Sequence, residues 1–112
     1  MCSDPAVVRA YLADPLTHDR ITPRLARFIV DGGARVYSLA PQWATPTLLL
    51  YARADRCVAP RGSDAFAAAA PAALLQAHRY DGFAHAIFNE PDQARVPADL
   101  SAWLSTRFGP AA

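Results

Sequence analysis

The stretch Pro46-Thr47-Leu48-Leu49-Leu50-Tyr51 is a short, unbroken apolar run without polar alternation. A half-exposed strand would alternate apolar and polar residues, and an amphipathic helix would space them three and four apart. A run this short reads instead as a parallel strand covered on both faces. Working outward, residues 52–60 read as a loop. Gly62-Ser63-Asp64 then opens a short helix through about Ala70, with Ser63 as its N-cap and Asp64 at its positive end. Pro71 ends that helix, and Leu74 to Tyr80 reads as a second strand. Asp81-Gly82 is a turn, followed by Phe83-Ala84-His85. A last helix carries Val96, Leu100, Trp103 and Leu104, and it begins near Arg95 because Pro97 fits only its first turn. Strand, helix, strand, helix over residues 43–112 predicts an α/β fold with two parallel strands joined by a crossover.

The first 42 residues have no place in that alternation. Asp4-Pro5 is a helix start, with Asp as cap and Pro at the first helical position. Asp14-Pro15 ends that helix, since the residue before a proline avoids helical geometry. Thr22-Pro23 repeats the start signal. Gly32-Gly33 would break many helices, yet Leu25 and Val36 lie about three full turns apart and the apolar stripe resumes in phase. The spacing therefore predicts one helix from about 23 to 40. Residues 1–42 are expected to be a helical segment packed over the sheet.

Composition removes several classes. With 53% apolar and 19% charged residues the chain is globular rather than disordered. All eleven basic residues are Arg, and nine Asp with one Glu nearly cancel them, so no nucleic-acid surface is expected. No run approaches the length of a transmembrane segment. The start Met1-Cys2-Ser3-Asp4-Pro5 is not a signal peptide, which points to the cytoplasm. Cys2 and Cys57 form neither a disulfide framework nor a CxxC pair, and His18, His78 and His85 lack the spacing of helical metal ligands. No metal and no cofactor is expected.

Neighbouring parallel strands lie about 4.8 Å apart, so the loops leaving their carboxyl ends run side by side. Asp55 leaves the first strand and His85 the second. Ligands and catalysis in α/β sheets gather at this edge. There an Asp fixes a His tautomer and stabilises its protonated form, which makes a general base. The plainer alternatives are an Asp that bonds its own turn and a His satisfied in core or surface. Spacing alone leaves both open.

The residues also carry a resemblance. Leu49 to Ser63 resembles the acid loop of α/β-hydrolases, and Tyr80-Asp81-Gly82-Phe83-Ala84-His85-Ala86-Ile87-Phe88-Asn89-Glu90-Pro91 resembles their histidine loop. Ser3-Asp4-Pro5-Ala6-Val7-Val8, with Tyr11 and Asp14-Pro15-Leu16, looks like the cap segment of one branch. That branch is the monoacylglycerol lipase and lysophospholipase group of the serine aminopeptidase-like family. The resemblance implies an α/β-hydrolase fold, with residues 1–42 as cap and 43–112 as the C-terminal part of the core. It implies Asp55 and His85 as two members of a Ser-Asp-His triad, and a lipid-like ester, a monoacylglycerol or lysophospholipid, as substrate. Two departures stand out. Ala86 follows the His where the family usually has Glu, and Ala52-Arg53-Ala54 replaces a Gly-rich entry to the acid loop.

In this family the nucleophile lies upstream of the acid on a G-x-S-x-G turn. The five serines, at 3, 38, 63, 101 and 105, all lie outside such a motif, so no nucleophile is assigned. A two-stranded parallel sheet also leaves edges unpaired. The expectation is a C-terminal part of a longer hydrolase that lacks its N-terminal part. The alternative is a non-catalytic remnant, or a subunit that pairs with a separately encoded N-terminal part or binds lipid.

Overall fold

The computed structural model describes residues 1–109. Residues 110–112 of the expected C-terminal part lie outside the described residues. Helix α1 spans Pro5–Ala13, with the Asp4 side chain accepting from the Ala6 N–H as its cap. Helix α2 spans Pro23–Leu39, capped by Thr22, and runs unbroken through Gly32-Gly33. A 3-10 turn, Ala40–Gln42, leads to strand β1, Thr47–Ala52. Helix α3 covers Pro60–Ala69, strand β2 Leu75–Tyr80 and helix α4 Arg95–Phe108, with a second 3-10 turn at Ile87–Asn89 between the last two. The strands pair in parallel, from Thr47 opposite Leu75 to Ala52 opposite Tyr80.

One element start is corrected. Helix α3 begins at Pro60, two residues before Gly62, with Ala59 in the cap position and no side-chain cap. Proline suits the first helical position because its fixed φ is already helical and its missing N–H would have no partner there. Ser63 therefore lies inside the helix and does not cap it. The Asp64 carboxylate turns to the sheet, accepting from the Tyr51 hydroxyl at 2.6 Å and from Arg79 at 3.3 Å. Burial, followed by that bond, pushes the Tyr51 hydroxyl up to about 12.

Successive strand residues point to opposite faces, and the two faces have different covers. Leu49, Tyr51 and Arg79 face α3. Leu50, Ala52 and Tyr80 face α4, where Ala52, Tyr80, Phe83 and Val96 form the buried core. The Tyr80 hydroxyl donates to Asp99 of α4 at 2.7 Å, and the Tyr80 and Phe83 rings stack with centroids 5.2 Å apart.

The strand expected to be covered on both faces is only half-buried over most of its length, and just Ala52 is buried. Helix α2 packs against α3 and leaves a groove of about 590 Å³ above β1, lined by Val36, Trp43, Leu49, Phe66 and the two glycines. Gly32 and Gly33 present no side chains to fill it, and a Cβ at either would meet nothing within 4 Å.

Candidate active site

The two loops are fastened together beyond the strand ends. The Arg53 N–H donates to the Tyr80 carbonyl and the Ala54 N–H to the Phe83 carbonyl, each at 3.0 Å. These bonds extend the strand pairing and carry residues 53–58 alongside 81–85. Gly82, at φ +81°, makes the reversal after β2, and buried Phe83 anchors the following residues to the core.

Asp55 then closes a tight turn on itself. Its Oδ1 accepts from the N–H groups of Cys57 at 2.7 Å and Val58 at 2.9 Å. Its Oδ2 meets Nδ1 of His85 at 2.8 Å. The turn residue and the partner of His85 are thus one side chain, serving both readings through different oxygens. The Asp55 side chain is 12% exposed and that of His85 42%. Burial raises the Asp55 carboxyl, but the Val58 N–H, the His85 ring and the Cys57 N–H outweigh it and hold it below the usual aspartate range. An ionised carboxylate only accepts hydrogen bonds, so Nδ1 of His85 donates to it, and in the neutral form of the ring the lone pair is then on Nε2. Such a pair can take a proton at Nε2 and stabilise the resulting imidazolium.

A second carboxylate holds the histidine loop. Glu90 is buried, 1% exposed. It accepts from the Ala84 N–H at 2.9 Å, from the Ser3 N–H at 3.0 Å and from the Ser3 hydroxyl. The Ala86 N–H adds a bond to the Met1 carbonyl at 2.7 Å. Burial opposes ionisation of Glu90, but the Ser3 hydroxyl and the N–H groups of Ala84 and Ser3 more than offset it, so the carboxyl is held below its usual range.

Asp55 and His85 are thus brought together as the strand order implies. Ser63 lines the groove beneath α2, and among the described residues no hydrogen bond joins it to the pair. Sequence reasoning missed Glu90, whose partners are remote in the chain, and Cys57. The Cys57 thiol, a carboxylate oxygen of Asp55 and a ring nitrogen of His85 lie within 4.8 Å of one another. The Asp-x-Cys spacing inside a side-chain-closed turn was the one available signal for Cys57.

A parallel βαβ unit thus carries an Asp and a His hydrogen-bonded to each other at its carboxyl edge. Residues 1–92 match the serine aminopeptidase S33 family, and the chain belongs to that family. It is 31% identical over 102 residues to a monoacylglycerol lipase of Mycolicibacterium smegmatis, covering 90% of this chain and 36% of that protein. An uncharacterized abhydrolase domain-containing protein of Dictyostelium discoideum is 28% identical over 106 residues, covering 94% of this chain and 11% of that protein. The crystal structure of a Paleococcus ferrophilus monoacylglycerol lipase superimposes with a TM-score of 0.87 at 28% identity, over 94% of this chain and 41% of that one. The chain thus has the fold of part of a monoacylglycerol lipase-type α/β-hydrolase and spans well under half the length of these relatives. No helix among the described residues is long and apolar enough to cross a membrane.

Proposed function

We propose that this chain supplies the acid and base of a serine-type ester hydrolase acting on monoacylglycerols or lysophospholipids. The 2.8 Å bond between His85 Nδ1 and Asp55 Oδ2 carries the reading. In the complete site a serine hydroxyl attacks the ester carbonyl while His85 Nε2 takes its proton. The proton is then given to the departing alcohol, and Asp55 holds the ring and stabilises the imidazolium. Residues 1–42 act as part of the cap over the site. Monoacylglycerol is taken from the names of two relatives, each a monoacylglycerol lipase, and lysophospholipid from the resemblance of the sequence. The nucleophile and the donors that stabilise the oxyanion come from an N-terminal part of the family's fold.

The test mixes the chain with an N-terminal portion of a family member chosen to carry a G-x-S-x-G serine. Monoacylglycerol hydrolysis and fluorophosphonate labelling of that serine are followed together. The expected result is activity only in the mixture, abolished by His85→Ala and lowered about 10⁴-fold by Asp55→Asn. Stoichiometric labelling of a serine in this chain alone would overturn the assignment of the nucleophile. A mixture that assembles but stays inactive would favour the non-catalytic reading.

A further inference from the structure

The cluster at Asp55, Cys57 and His85 has a second chemical capacity. We propose that these three residues form a binding site for a thiophilic divalent cation of the zinc type. One carboxylate oxygen, one thiol sulfur and one imidazole nitrogen lie within 4.8 Å of one another. A tetrahedral zinc with bonds of 2.0–2.3 Å places such ligand atoms roughly 3.3–3.6 Å apart. The oxygen–nitrogen pair, at 2.8 Å, opens by about 0.5 Å to admit the ion, and the thiol, within 4.8 Å of both atoms, settles against it. Both are side-chain adjustments, because the turn at Asp55 fixes the backbone. Its Oδ1 accepts from the Cys57 and Val58 N–H groups, which keeps Cys57 beside the carboxylate and leaves Oδ2 to face His85.

The donor set selects the ion. Thiolate with imidazole suits zinc and disfavours magnesium and calcium, which prefer all-oxygen shells. Cys57 and His85 are exposed, so the fourth position is open to water. Binding is balanced by one proton: the thiol proton leaves to solvent as the metal–sulfur bond forms. The Asp55 carboxylate is already ionised, and neutral His85 gives up its hydrogen bond to Asp55.

A bound cation and a working base exclude one another. With the metal on Nδ1 the ring proton sits on Nε2, which then has no lone pair. With the metal on Nε2 that lone pair is already used. This consequence rests on the proposed catalytic role of His85; the site itself does not.

The experiment uses the reduced 112-residue chain and cobalt(II) as the spectroscopic probe. Cobalt should give tetrahedral visible bands and a near-ultraviolet sulfur-to-cobalt band, both displaced by zinc and not by magnesium. Cys57→Ser should remove the sulfur band and weaken zinc binding at least about tenfold, and His85→Ala should weaken it to a similar extent. Both side chains are exposed, and circular dichroism checks that the variants keep their fold. Cys2→Ser is the control, since that thiol donates to the Asn89 carbonyl at 2.7 Å instead. Absence of the sulfur band, its survival in Cys57→Ser, unchanged binding in His85→Ala, or displacement by magnesium would each overturn the site. Because binding is read without any ester substrate, its failure is separate from failure of the hydrolase reading.

Discussion

Glu90 shows how one buried group governs a loop it does not belong to chemically. Its carboxylate satisfies the Ala84 N–H next to His85 and two donors of Ser3. Glu90→Ala takes the protein partner from three part-buried donors, at a combined cost of about 1–3 kcal/mol. The pH dependence follows from the direction of its shift. A carboxyl held below its unfolded value binds fewer protons in the folded chain, so its contribution is full above the unfolded value and is lost as pH falls through the folded one. Glu90→Gln should therefore be less stable than the parent at neutral pH, with the gap narrowing in acid. Urea unfolding of both chains at several pH values checks this, and a gap that widened in acid would contradict it. That Asp55 and His85 lie close together could be read from the sequence because the order of parallel strands places their loops side by side, while their role came only from the resemblance. The places of Glu90 and Cys57 could not, since they depend on contacts between distant residues and on a turn closed by a side chain.

The elements follow the sequence wherever two signals agree. Asp4-Pro5 and Thr22-Pro23 join a capping side chain to a proline at the first helical position, and both helices start there. At α3 the signals conflict, and Pro60 prevails over Gly62-Ser63 without any capping side chain. The Gly32-Gly33 pair inside α2 tests the opposite case, in which apolar phase overrides a weak local preference. Since a Cβ at Gly33 meets nothing within 4 Å, Gly33→Ala should stabilise the chain by about 1 kcal/mol. Gly82 also has open space around its Cβ, but it sits at φ +81°, so Gly82→Ala should destabilise by about 1–2 kcal/mol through backbone conformation alone. Thermal melts of the two variants should move in opposite directions, and parallel shifts would show that empty space, not φ, decides both.

Across the whole molecule, few side chains are withdrawn from water. Among the described residues the buried apolar set is Ala40, Ala52, Ala70, Tyr80, Phe83 and Val96, while Leu12, Leu16, Phe28 and Val30 are at least 70% exposed. The radius of gyration is 16.3 Å, against about 13 Å for a compact domain of roughly this length. The sequence pattern shows which faces are apolar but not what covers them, which is why β1 reads as a central strand and is found half-buried. Apolar surface on this scale, with one edge of β1 unpaired among the described residues, favours association with other chains. Sedimentation velocity over rising concentration should show reversible or progressive self-association, and a single monomer species at high concentration would contradict it.

The clasp of Glu90 on Ser3 joins residues 87 apart in sequence. The strand pairing closes much shorter loops, since Thr47 meets Leu75. Loop-closure entropy grows with loop length, so the βαβ unit should form before the clasp shuts. A contact made after the rate-limiting step affects only the way out of the native state. Releasing the clasp with Glu90→Ala should leave the refolding rate nearly unchanged and speed unfolding by most of the lost stability, about 5- to 150-fold for 1–3 kcal/mol. Stopped-flow refolding and unfolding arms read this directly. The His85 loop would then open on a faster clock than the sheet that carries it.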